Sequence, residues 1–148
     1  MKVSPATRRK ARHFGMQALY QWQMNSAPIN TIEAEFLVDN DMAHTDTDYF
    51  HELLHQIPAH VTELEEAYIP FLQGRNLSEL DAITRALLLI ASYEFSHRID
   101  VPYKVVINEA VSLAKKFGAT DSYKFINGVL DQLAAKLRAV EVKAEKQR

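Results

Sequence analysis

A chain of 148 residues with 47% hydrophobic and 24% charged side chains is long enough to bury a core of its own, most simply as one domain. It has no cysteine, which excludes disulfides and thiolate metal sites and is compatible with a reducing cytoplasm. The formal net charge of −2 conceals an asymmetry, because residues 1–32 carry +5 with no carboxylate and residues 33–148 carry −7 with all 19 Asp/Glu.

Such a split suggests one surface for a polyanion and another for something basic, or else a solubilising N-terminal arm. The basic start is not followed by an apolar run of signal-peptide type. The most apolar stretch, "ALLLIASYEF" at 86–95, is too short to span a bilayer. The expectation is a soluble cytoplasmic protein. Four glycines, five prolines and no alternating apolar runs argue against sheet, and the period is helical throughout.

The first helix is expected over about residues 5–24 and a shorter one over 31–39, followed by the polar loop "DNDMAHTDT". In 50–68, Phe50, Leu53, Leu54, Ile57, Val61, Leu64 and Tyr68 recur at three- and four-residue steps, and Pro58 predicts a kink or break in that stripe. "NLSELDAITRALLLIASYEFSH" opens with Ser78 and Asp81 spaced as a shortened capping box, then turns apolar nearly all round, as a central helix does. "DVPYKVVINEAVSLAKKFG" starts at Asp100 and Pro102, and Gly118 suits a left-handed position at its end. Thr120 or Asp121 then caps a last helix to about Leu137, before a charged tail over 138–148 expected to fray. The reading is a compact all-α domain of six or seven helices.

On a wheel of about 100° per residue, Ala11, Phe14, Ala18 and Trp22 form the core stripe of the first helix. Arg9, Arg12, His13, Met16 and Tyr20 fall on the other side. Cations that neutralise phosphate, beside a ring on which a base can stack, suit single-stranded nucleic acid. A tyrosine packed under a neighbouring helix is the plainer alternative. In the last helix Tyr123, Ile126, Leu130, Leu133 and Leu137 form the stripe, and Phe125 and Gly128 lie off it. A glycine inside a helix costs about 1 kcal/mol against alanine, so something, most simply another helix, is expected to approach Gly128 closely.

"HELLH", His51 to His55, fits the H-E-x-x-H pattern of zinc metallohydrolases, with Glu52 as general base. A third ligand is needed. His60 falls one residue short of the longer zinc pattern, and Glu79 is an unsupported candidate, so the residues read better as a solvated histidine pair with no metal.

"DVPYKVVINEAVSLAKKFG" followed by "DSYKFINGVLD" resembles the signature of the bacterial NusB transcription antitermination family, and "QALYQW" and "ALLLIASYEF" are similar to its other landmarks. The resemblance covers essentially the whole chain. It implies two small packed helical bundles, no catalytic activity and no cofactor. It also implies binding to single-stranded boxA RNA together with the ribosomal protein that serves as NusE. Other Nus factors and RNA polymerase complete a larger complex, notably on ribosomal RNA operons.

Carried over by motif, Arg8, Arg9 and Arg12 match phosphate contacts, Tyr20 a stacking platform, and Phe117, Asp121 and Phe125 the cluster around the last helix start. Asp121 can accept hydrogen bonds from base amino groups, or serve as an N-cap, or both. The NusE surface maps to about 78–103, with Thr84, Arg85 and Leu89 as candidates, although the family pattern often has an acidic residue at Thr84 and an arginine at Leu89. A NusB-like domain also precedes the catalytic part of some RNA cytosine methyltransferases. No glycine-rich cofactor segment stands here, so a free-standing binder is expected.

Overall fold

Ser4 starts the first helix by a reciprocal pair of hydrogen bonds. Its hydroxyl accepts the Thr7 N–H at 3.1 Å, and its own N–H donates to the Thr7 hydroxyl at 2.9 Å. In the computed structural model, which describes residues 3–147, α1 then runs Pro5–Asn25. α2 (Ile29–Asp39) and α3 (Thr47–Ala59) complete the first of two compact units, Met1–His60. The predicted apolar stripe of α3 is fully buried at Phe50, Leu53, Leu54 and Ile57, as are Met16 and Leu19 of α1 and Ile32 of α2, the two helices against which α3 packs. Each such side chain contributes about 1.5–3 kcal/mol by leaving water. Gly15 sits where a Cβ would come within 3.1 Å of the Leu53 side chain, which lets α1 and α3 approach closely.

The break predicted at Pro58 is present. Pro58 itself lies inside the last turn of α3, which ends one residue later at Ala59 with His60 as C-cap, and α4 (Val61–Tyr68) begins a new helix. The second unit is Val61–Arg148. After α4 come two short 3₁₀ turns, Ile69–Phe71 and Leu77–Glu79, then α5 (Ala82–His97), α6 (Tyr103–Phe117), α7 (Ser122–Leu137) and α8 (Ala139–Lys146). α5 packs against α4, α6 and α7, as its all-round apolarity requires. No strand occurs among the described residues, and no helix there is long and apolar enough to cross a membrane.

Three local expectations are corrected. Ser78 does not cap α5. Asp81 does, its carboxylate accepting the Thr84 N–H at 2.8 Å and the Thr84 hydroxyl at 2.9 Å, while Glu79 accepts the Asn76 N–H of the preceding turn. Gly118 is extended rather than left-handed, with φ −85°. It is required for space, because a Cβ would lie 2.4 Å from the Ser122 hydroxyl and 2.7 Å from the Ala114 carbonyl. The tail expected to fray is helical as α8, which adds an eighth α-helix to the six or seven expected.

The reason is Arg138, which is buried. Its guanidinium donates to the carbonyls of Phe95 (2.9 Å), Glu94 (3.0 Å) and Arg98 (3.0 Å), capping the end of α5. It also donates to Glu141 at 2.6 Å, and the other oxygen of Glu141 accepts the first amide of α6, Tyr103 N–H, at 2.8 Å.

Candidate nucleic-acid interface

In the first unit the expected cationic face of α1 is present but narrower. The buried face covers Ala11, Arg12, Gly15, Met16, Ala18 and Leu19, so it extends past the predicted stripe onto Arg12 and Met16. Arg12 is only 3% exposed, with its guanidinium 5.6 Å from the centre of the Tyr49 ring, which corrects its assignment to the surface. Arg8 is half-buried over the same ring at 5.4 Å and lies 3.9 Å from Asp46. Asp46 is fixed in turn, since its carboxylate accepts the Tyr49 N–H that opens α3 and its own N–H donates to the Thr7 carbonyl. Arg9 and Lys10 are exposed, and Tyr20 shows 39% of its surface, off the core as predicted.

In the second unit Phe117 is 40% exposed at the end of α6. Asp121 precedes α7 with left-handed backbone, φ 66°, so its side chain makes no capping hydrogen bond. The N-cap alternative for its carboxylate is thereby corrected. That carboxylate is exposed, 3.5 Å from the Lys124 ammonium. Phe125 is 8% exposed, not an open platform, because the Arg75 guanidinium lies 4.3 Å over its ring. Arg75, in the loop "QGRN", was not singled out by the sequence, since its neighbour on Phe125 is fifty residues away and no periodicity marks a loop cation. Gly128 faces the end of the Gln73 side chain, 2.7 Å from where a Cβ would stand, rather than another helix.

A shallow cavity of about 210 Å³ brings Arg75, Asp81, Thr84, Asp121 and Phe125 together. Thr84 is spent on Asp81 and is 3% exposed, and Leu89 is fully buried, so neither presents a surface contact; an all-round apolar helix turns both inward. Arg85 is half-buried in a two-bond pair with Glu65, at 2.7 and 3.1 Å, and the hydrogen bond to that carboxylate is the main cause of its raised pKa. The turn after α5 instead exposes Ile99 by 79%.

The two histidines of "HELLH" lie 4.1 Å apart between ring centres on α3, their planes tilted by 33°. The carboxylate they meet is Glu33 of α2, not Glu52 or Glu79. His51 Nδ1 lies 2.6 Å from one Glu33 oxygen and His55 Nε2 2.8 Å from the other. Burial opposes ionisation of Glu33, but the hydrogen bonds with His55 and His51 outweigh it and hold the carboxyl below its ordinary pKa. His60 points its Nδ1 at the Gln56 carbonyl, 2.8 Å away.

Fold and surface define an all-helical protein of two small units, marked by cations beside rings rather than by a catalytic constellation. The NusB family model matches residues 9–135, and the chain belongs to that family. The transcription antitermination protein NusB of Teredinibacter turnerae is 60% identical over 144 residues, 97% of this chain and 98% of that one. The protein of the same name from Saccharophagus degradans is 59% identical over 144 residues, 97% and 96% of the two chains. The solved structure of T. maritima NusB in its P3121 form matches with a TM-score of 0.75 at 27% identity, covering 90% of this chain and 92% of that one. Membership in this family makes the chain a non-enzymatic protein.

Proposed function

We propose that the chain is a transcription antitermination factor of the cytoplasm that binds boxA-type single-stranded RNA together with the ribosomal protein NusE. With other Nus factors and RNA polymerase it then makes the polymerase resistant to termination, notably on ribosomal RNA operons. The observation that carries this reading is the exposed stripe of α1, where Arg9 and Tyr20 share one side of the helix in a chain of the NusB family. Arg9 and Arg8 meet phosphates, and Tyr20 gives a base a ring to stack on. Phe117 supplies a second ring on the other unit, and the outward carboxylate of Asp121 accepts hydrogen bonds from base amino groups. Arg12 and Phe125 act from beneath, as supports for these surfaces.

The acidic surplus of residues 33–148 suits a basic ribosomal partner. With Thr84 and Leu89 buried, Arg85 and the exposed Ile99 are the residues of 78–103 that such a partner meets. Anisotropy titrations of a fluorescent boxA RNA, with and without NusE and at several salt concentrations, test the proposal. Expected is binding that NusE tightens, that rising salt weakens, and that exceeds binding to a scrambled RNA of the same length. Equal affinity for the scrambled RNA in both conditions refutes it.

A further inference from the structure

We propose that Glu33, His51 and His55 form a binding site for zinc or a neighbouring divalent transition metal, which fastens α2 to α3. The three side chains each offer one ligand atom, and those atoms all lie within 4.8 Å of one another. His51 and His55 are one helical turn apart on α3, so their imidazoles stand on one face. Glu33 reaches them from α2 and divides its two oxygens between the two rings. Two imidazoles and one carboxylate are a donor set that suits zinc, and a water completes a tetrahedron.

The ligand atoms now meet in direct hydrogen bonds. An ion with bonds of about 2.0–2.2 Å needs them to part by roughly half an ångström. His51, whose side chain is 60% exposed, is free to make that adjustment.

The role is structural. Glu52, the general base of a hydrolase reading, stands outside the cluster. What the metal holds is a helix with little else to hold it. Ile32 is the buried residue of α2, and no side chain caps its N-terminus. A site that bridges α2 and α3 therefore adds a fixed link to a helix that buries one residue. RNA and NusE play no part in this assignment, so it stands or fails apart from the antitermination proposal.

The test uses the full chain without any affinity tag, stripped with chelator and titrated with zinc chloride by calorimetry. Expected is saturation at one equivalent and a rise in Tm of about 5–10 °C at zinc a hundredfold above Kd. Cobalt(II) in place of zinc gives the visible absorption of a tetrahedral centre. His51→Ala and Glu33→Gln abolish these signals, whereas His60→Ala retains them; circular dichroism verifies that the variants stay folded. Saturable binding that survives His51→Ala, or no binding at one equivalent in the unaltered chain, overturns the site.

Discussion

Replacing Arg138 with alanine removes four charge-assisted hydrogen bonds at once. Three of them go to main-chain carbonyls at the end of α5, and the fourth orients Glu141 toward the first amide of α6. The Glu94 carbonyl keeps a partner, because the Arg98 N–H also donates to it at 3.1 Å. The Arg98 carbonyl likewise keeps the Val101 N–H at 3.0 Å, whereas the Phe95 carbonyl loses the guanidinium, and the side chain's packing over the Phe95 ring is lost with it. Hydrogen bonds to a charged group contribute about 1.5–3 kcal/mol each, and water entering the truncated site recovers part of the loss. The expected cost is about 3–5 kcal/mol, in the range for truncating one side of a buried charged network. With a urea m-value of about 2 kcal/mol/M, the midpoint followed by far-UV circular dichroism falls by about 2 M. Arg138→Lys does not rescue it, since one ammonium cannot span carbonyls and carboxylate in the geometry of a planar fork. A loss below about 1 kcal/mol in Arg138→Ala, or full stability in Arg138→Lys, refutes the view that this guanidinium holds α8 in place.

At Tyr20, alanine is expected to weaken boxA binding by about 1–3 kcal/mol while leaving the urea midpoint unchanged, because the ring is off the core. Phe125→Ala, by contrast, shows its effect in unfolding, with about 3–5 kcal/mol lost as a buried ring is removed, and denaturation curves of the two variants side by side decide the matter. Ser92 buries its hydroxyl in α5 with no hydrogen-bond partner, so Ser92→Ala should leave stability unchanged or raise it by about 1 kcal/mol in the same urea assay.

What the sequence made legible is what depends on near neighbours. The stripe Phe50, Leu53, Leu54, Ile57 is a matter of helical period, and Pro58 marks the turn within which its helix ends; both were readable without knowing any tertiary partner. Arg12 was misread because a wheel sorts charge to the outside, and the ring that covers it, Tyr49, arrives from another helix. Thr84 and Leu89 were candidates by family resemblance alone, and α5, apolar on nearly every side, buries both. The charged tail looked solvated until the buried Arg138 met carbonyls more than forty residues upstream. Glu33 likewise gave no sign, because no spacing rule connects it to histidines eighteen and twenty-two residues later.

The thin anchoring of α2 also has a kinetic meaning. Beyond Ile32, its contacts with the first unit include the tilted Phe36–Phe50 pair, the Glu33–histidine bonds and a 3.5 Å approach of Gln21 to Glu35, while Leu37 and Val38 face solvent. A helix with one buried side chain belongs to the low-stability end of its unit. α2 is thus a small unit that opens by itself while α1 and α3 stay folded, and its amides exchange with deuterium ahead of theirs. Each opening bares the side of Phe50 that Phe36 covers, a ring fully buried in the folded chain.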